Sequence, residues 1–196
     1  MRQTKESLFA IASSQQGFFT SKQALTAGYT ERAHSYHVKI GDWVREQRGI
    51  YRLARFPVSP EAQYVIWSLW SRDRSGVPQG VFSRQTALSL YDLSDLNPAQ
   101  LHLTVPLSFR HRILPPDLPV LHFDDLPETD VEPRQGYRLT RPLRTILDLA
   151  QDESESRDHL QQALRQAITR GLITRSDIQR SPDRQRLETL LKGFST

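Results

Sequence analysis

The sequence predicts an α+β fold: an N-terminal winged helix-turn-helix followed by a mixed helix–sheet domain. Three observations predict it. Two short capped helices joined by a glycine turn occupy residues 20–40, an alternating arginine-decorated segment follows over 43–53, and helix-period segments then interleave with strand-like runs. The boundary falls after Phe56, giving a head of residues 1–56 and a body of residues 57–196.

In the head, Leu8, Ile11 and Ala12 recur at helical spacing, which predicts a first helix over about Thr4–Ser14 with one buried stripe. Gly17 ends it, and Phe18 and Phe19 form a short apolar link. Thr20 to Gln23 reads as a capping box, the hydroxyl accepting from the third amide while Gln23 reaches back to the cap amide. The second helix stops at Gly28, a residue free to take positive φ. Thr30 is placed to cap a third helix, from Glu31 to about Ile40, with Glu31 favourable at the positive end of the helix dipole. Trp43 to Leu53 then reads as a β-hairpin wing.

A recognition helix must show polar side chains to base edges on one face while its other face packs. On the third helix His34 and Val38 are four apart and are expected inward. Arg32, Ser35, Tyr36 and Lys39 then fall on or beside the outward face. Arg45, Arg48 and Arg52 on the wing supply phosphate or minor-groove contacts, which position without specifying. With Thr20 and Lys22 at the start of the second helix, these nine residues are the candidate double-stranded DNA contacts. Charge agrees: through Phe56 nine basic residues stand against four acidic, while the rest carries 17 against 18. A cationic head on a near-neutral body suits a polyanion.

In the body, Ser59, Pro60 and Glu61 form a helix start, followed by Val65, Ile66, Leu69 and Trp70. Residues 75–80 read as a loop, and Ser83–Tyr91 as a helix with Ala87, Leu88 and Tyr91 inward. Leu101, Leu103 and Val105 alternate with His102 and Thr104, a strand with one buried face. Val120–Phe123 reads likewise, and Pro115 and Pro116 interrupt between them. The acidic stretch from Asp124 to Glu132 is expected to be a solvated loop or edge. Thr140 is expected to cap a helix on which Arg144 and Asp148, four apart, pair. Further helices are expected from Ser156 to Gly171, from a Thr174–Asp177 cap, and after Ser181 and Pro182.

Composition sets limits. There is no cysteine, so disulfides and thiol chemistry are excluded. No apolar run follows Met1 as a secretory signal would, and none reaches membrane-spanning length, so a soluble cytoplasmic protein is expected. The usual glycine-rich loops and nucleophile elbows are missing, which points away from an enzyme, and neither cofactor nor metal is expected. A metal-dependent DNA-acting enzyme using His122, Asp124 and Asp125 is the alternative, though the four lysines all lie far from that stretch. A winged helix that binds only protein is another.

The run Gly17, Phe18, Phe19, Thr20, Ser21, with Gly41 to Arg45 and Arg48 to Leu53, resembles the N-terminal winged helix of the AbiEi-type antitoxin family. The resemblance continues through Ser83–Leu88, similar to an S-x-x-(S/T)-A-L helix, Leu101–Pro106, and the Leu139–Asp148 segment with its R-T-x-x-D ending at Arg144, Thr145 and Asp148. It implies a transcriptional repressor of its own operon, in a type IV toxin–antitoxin system, whose partner is a cognate toxin resembling a nucleotidyltransferase. Glu46 and Gln47 depart from a wing that is usually more basic.

Overall fold

The first six elements run helix, strand, helix, helix, strand, strand, in a computed structural model that describes residues 2–93, 98–110, 115–152 and 154–192. They are α1 (Arg2–Ser13), β1 (Phe18–Thr20), α2 (Ser21–Thr26), α3 (Glu31–Lys39), β2 (Trp43–Gln47) and β3 (Ile50–Leu53). The expected capping box forms at Thr20 and Gln23. Thr30 precedes α3 in extended backbone, but its side chain makes no capping bond.

Phe18 and Phe19 are more than a link. With Thr20 they make a third strand, antiparallel to β3 with Phe19 opposite Tyr51, and the sheet runs β1-β3-β2. This is the winged-helix connection: β1 ties the first helix to the base of the β2–β3 ribbon. The core beneath comprises Leu8, Ala12, Phe19, Ala24, Ala27, Trp43 and Tyr51, with Ile11, Tyr29, Val38 and Leu53 against it.

Gly17 makes the step from α1 into β1 possible. Its φ is +90°, and a Cβ built there would meet the Phe56 ring at 2.4 Å. Both the backbone region and the space demand glycine.

The next elements are α4 (Ala62–Trp70), β4 (Val81–Phe82), α5 (Arg84–Leu90), β5 (His102–Val105), β6 (Val120–Phe123), β7 (Val131–Arg134) and β8 (Tyr137–Thr140). Then follow α6 (Pro142–Gln151), α7 (Arg157–Thr169), α8 (Arg175–Arg180) and α9 (Arg184–Lys192). A five-stranded sheet runs β6-β5-β4-β8-β7, with β5 parallel to β6, β4 antiparallel to β5 and parallel to β8. Thr104 is buried along with Leu103 and Val105, so β5 is covered on more than the single face its alternation suggested. Ser156 and Thr174 cap α7 and α8 as expected. Thr140 ends β8 instead; Arg141 stands at the cap of α6, and the Thr140 hydroxyl bonds that of Thr145 at 2.7 Å.

The chain forms two compact units. One comprises Met1–Gly80, Ser108–His111 and Pro133–Arg138; the other Val81–Leu107, Arg112–Glu132 and Leu139–Thr196. The unit built on the winged helix thus extends beyond Phe56. In it α4 buries Val65, Trp67, Leu69 and Trp70, Tyr64 packs on Tyr137 and Trp70 on Phe109.

In the second unit the acidic stretch is not simply solvated. Arg144 pairs with Asp148 (2.7 Å), Asp130 (3.2 Å) and Asp124, so three carboxylates from separate elements meet on one guanidinium. Burial disfavours the Arg144 charge, but Asp148 and the other two carboxylates more than offset it and its pKa rises. Asp148 is buried, and desolvation raises its pKa against the pull of Arg144.

Two changes test these anchors. Gly17→Ala should cost about 2–5 kcal/mol, the sum of left-handed strain and overpacking, in urea denaturation. Arg144→Met should cost about 3–5 kcal/mol near neutral pH by stranding Asp148. That loss should shrink as the pH is lowered into the acid range. In the variant the folded-state Asp148 holds its proton more tightly than the unfolded chain does, so lowering the pH neutralises the stranded charge.

Candidate nucleic-acid interface

Trp43 fixes how α3 sits. His37 stacks on its ring at 4.8 Å and 22°, and His34 lies 5.5 Å away, so two residues three apart face one indole. Phe19, Tyr29 and Tyr51 complete the cluster at 4.8, 5.0 and 5.8 Å. The Asp42 carboxylate meets His37 Nδ1 at 3.1 Å and orients that ring. Burial lowers the His34 pKa, which favours a neutral imidazole among the rings.

With His34 and His37 turned in, Arg32, Ser35, Tyr36 and Lys39 are turned out. They stand at i, i+3, i+4 and i+7, one continuous stripe, and all four are exposed; Tyr36 is 59% exposed. Beside the stripe lies an open groove of about 420 Å³ lined by Glu31, His34, Ser35, Val38, Lys39, Arg45 and Tyr51. The wing residue Arg45 and the helix residues Ser35 and Lys39 therefore share one concavity. Arg48 is exposed at the hairpin turn. Among the described residues Arg32, Lys39, Arg45 and Arg48 make no ion pair or side-chain hydrogen bond.

The other three candidates are engaged within the protein. Thr20 is 2% exposed and its hydroxyl caps α2. Arg52 is half-buried, pairing through Nε with Glu46 at 2.8 Å and through Nη1 with the Phe56 carbonyl at 3.1 Å. Lys22 is exposed, but its Nζ is bound to the Arg74 and Ser75 carbonyls at 3.0 and 2.5 Å. Glu46, which departs from a basic wing in sequence, serves as the partner of Arg52 across the ribbon. A bulge between Arg45 and Gln47 shifts the strand register there, so simple alternation could not reveal the pair.

The residues of the enzymatic alternative do not converge. Asp124 goes to Arg144, Asp125 accepts from the Leu107 amide at 3.1 Å, and His122 stacks on His102. Among the described residues no group of three or more His, Asp or Glu side chains is placed to hold a metal ion. His102 and His122 bond each other, Nδ1 to Nε2, at 3.0 Å with rings 13° apart. Burial and the nearby Arg84 charge lower both pKa values, that of His122 to about 4.

The helix–strand order, the arginine-flanked groove and the outward stripe coincide with the segment that family comparison selects. Residues 6–54 match the family model described as "Transcriptional regulator, AbiEi antitoxin". The match lies within the head. Among solved structures the chain is similar to the crystal structure of the RV2827C protein from Mycobacterium tuberculosis, with a TM-score of 0.54 and 14% identity over 98% of this chain and 72% of that one. At that identity the likeness is one of fold. A search of curated proteins finds no match. Among the described residues no helix is long and apolar enough to cross a membrane.

The histidine pair gives a pH prediction. A folded pKa below the unfolded value of about 6.5 means stability present above that pH and lost as pH falls through the folded value. His122 should therefore cost the chain about 1–2 kcal/mol between about pH 6.5 and pH 4, after allowance for its partial exposure. Thermal melts of His122→Phe should show a flatter pH dependence than wild type over that window.

Proposed function

We propose that this chain is a cytoplasmic DNA-binding repressor of the antitoxin type, which autoregulates its own operon and neutralises a nucleotidyltransferase-like toxin. Residues 1–56 are the DNA-binding domain and residues 57–196 the partner-binding part. The observation that carries the DNA-binding reading is the exposed α3 stripe beside a groove shared with the wing, with four cations that form no ion pair among the described residues. In this reading α3 enters the major groove of duplex DNA. Ser35 and Tyr36 face base edges, Arg32 and Lys39 reach edges or phosphates, and Arg45 and Arg48 hold the backbone. The AbiEi match over 6–54 supports the regulatory role and the toxin partner.

The test is a gel shift on the DNA upstream of its own reading frame, across a salt series. Arg32→Ala, Lys39→Ala, Arg45→Ala and Arg48→Ala should each reduce the slope of log affinity against log salt by roughly 0.9 where a phosphate contact is lost. Tyr36→Ala should narrow the gap between upstream and unrelated DNA by about 1–3 kcal/mol while leaving non-specific binding in place. Salt-insensitive binding, or slopes unchanged in all four variants, would overturn the DNA-binding reading. Capture of the adjacent gene product with no shift of any duplex would assign the head to protein contacts. Toxin neutralisation is checked by co-expression with a nucleotidyltransferase-like neighbour: growth should be restored.

A further inference from the structure

The wing turn has two donors beside it that the helix-and-wing stripe does not include. Gly49 closes the hairpin at φ +74°, and its carbonyl accepts from the Ser21 amide at 3.0 Å. A Cβ at that glycine would lie 3.1 Å from Arg72 Nη2 and 3.4 Å from Ser21 Oγ. The guanidinium and the hydroxyl therefore stand beside the same turn residue, next to exposed Arg48.

Arg72 follows α4, well beyond the Phe56 boundary. Its Nη1 donates to the Leu69 carbonyl at 2.6 Å, and its backbone bridges Pro78, so the side chain starts from a fixed base. Among the described residues no carboxylate pairs with it. Asp73, the nearest acid in sequence, is committed elsewhere: its Oδ1 accepts from the Ser75 hydroxyl at 2.6 Å and from the Gly76 and Val77 amides at 2.8 and 2.9 Å. Burial accordingly lowers the Arg72 pKa, with nothing opposing it. A partly desolvated cation without a counter-ion is unfavourable until an anion completes it. The Ser21 hydroxyl also bonds nothing among the described residues. Lys22, fixed on the Arg74 and Ser75 carbonyls, and the exposed Arg74 keep the surroundings positive.

We propose that Arg72 and Ser21 form a phosphodiester clamp at the wing turn, which grips one backbone phosphate of duplex DNA through the guanidinium Nη2 and the hydroxyl. The proposal rests on the DNA-binding reading and deepens it. The clamp positions the wing and reads no sequence, since a phosphate carries none. It also makes a residue outside the winged helix part of its contact surface.

The experiment uses the full chain and a mixed-sequence duplex, with binding followed by fluorescence anisotropy over a sodium chloride series and melting curves for every variant. Arg72→Met should weaken binding several-fold, equally for mixed-sequence and upstream DNA, and reduce the salt slope by about one. Ser21→Ala should weaken it less, and the double variant should lose less than the two single losses combined, because both donors serve one phosphate. Wild-type affinity and slope in Arg72→Met, while wild type binds DNA, would overturn the clamp and leave the DNA-binding reading standing. A wild-type chain that binds no duplex would overturn both. Should Arg72→Met melt below the assay temperature, Arg72→Gln and Ser21→Ala decide, and wild-type behaviour in both overturns the clamp. Inorganic phosphate titrated alone, with the Gly49 amide followed by NMR, separates the sources. A saturating shift with free phosphate, together with unchanged DNA binding in Arg72→Met, assigns the site to a free anion and overturns the proposal.

Discussion

Five aromatic rings packed on Trp43 decide what the head shows to solvent. Each such pair contributes about 0.5–1.5 kcal/mol beyond simple burial, and here they come from four separate parts of the winged helix. Phe19 arrives on β1, Tyr29 on the turn before α3, His34 and His37 on α3 itself, and Tyr51 on β3. Because two residues of α3 are committed to one indole, the rotation of that helix about its axis is fixed. The outward stripe follows from that rotation and not from the polarity of the residues on it. A neutral His34 is part of the arrangement, since a charged imidazole would need water or an acid where rings now stand.

Two groups of cations stand apart in the distribution of ion pairs. Arg52 and Arg144 are half-buried and are matched by carboxylates, one by Glu46 and the other by three aspartates. Their charges are spent on holding a ribbon and anchoring a helix. Arg32, Lys39, Arg45 and Arg48 are solvated and, among the described residues, unmatched. Solvated cations cost little to leave alone, so they are available to a polyanion without first breaking an internal bond. The same sorting explains why a wing containing Glu46 can still present positive charge: the acid cancels an arginine that lies inward.

Much of this was legible in the sequence, where local rules act. The Thr20–Gln23 box, the glycine turns, the α3 boundaries and the ribbon each follow from a few adjacent residues. The direction of His34 and Val38 follows from helical period alone. The rest needed contacts between distant residues. Three residues, Phe18 to Thr20, are too few for alternation to announce a strand, and their partners on β3 lie thirty or more residues away in sequence. The inward turn of Arg52 depends on a bulge that no period registers. Asp124 and Asp130 looked like solvated acids because their partner, Arg144, follows on a later helix. Arg72 hides beside Asp73 as an ordinary neighbouring pair, and only the Asp73 turn shows that the pair does not exist.

The first unit is assembled from three separate stretches of chain, and this bears on how the head could ever be isolated. Gln135 and Tyr137, which lie far along the sequence, are among its internal parts. Gln135 Nε2 donates to the Ser13 carbonyl at 2.9 Å, its own carbonyl accepts from Gln16 at 2.9 Å, and Tyr137 packs on Tyr64. A fragment cut after Phe56 would also lose α4, with Val65, Trp67, Leu69 and Trp70. One cut after Gly80 would keep that helix but leave Tyr64 without its companion and the end of α1 without its Gln135 tie. Proteolytic release of the N-terminal segment should therefore give a looser, stickier piece rather than a free-standing module, and any comparison of head against whole protein has to begin from that.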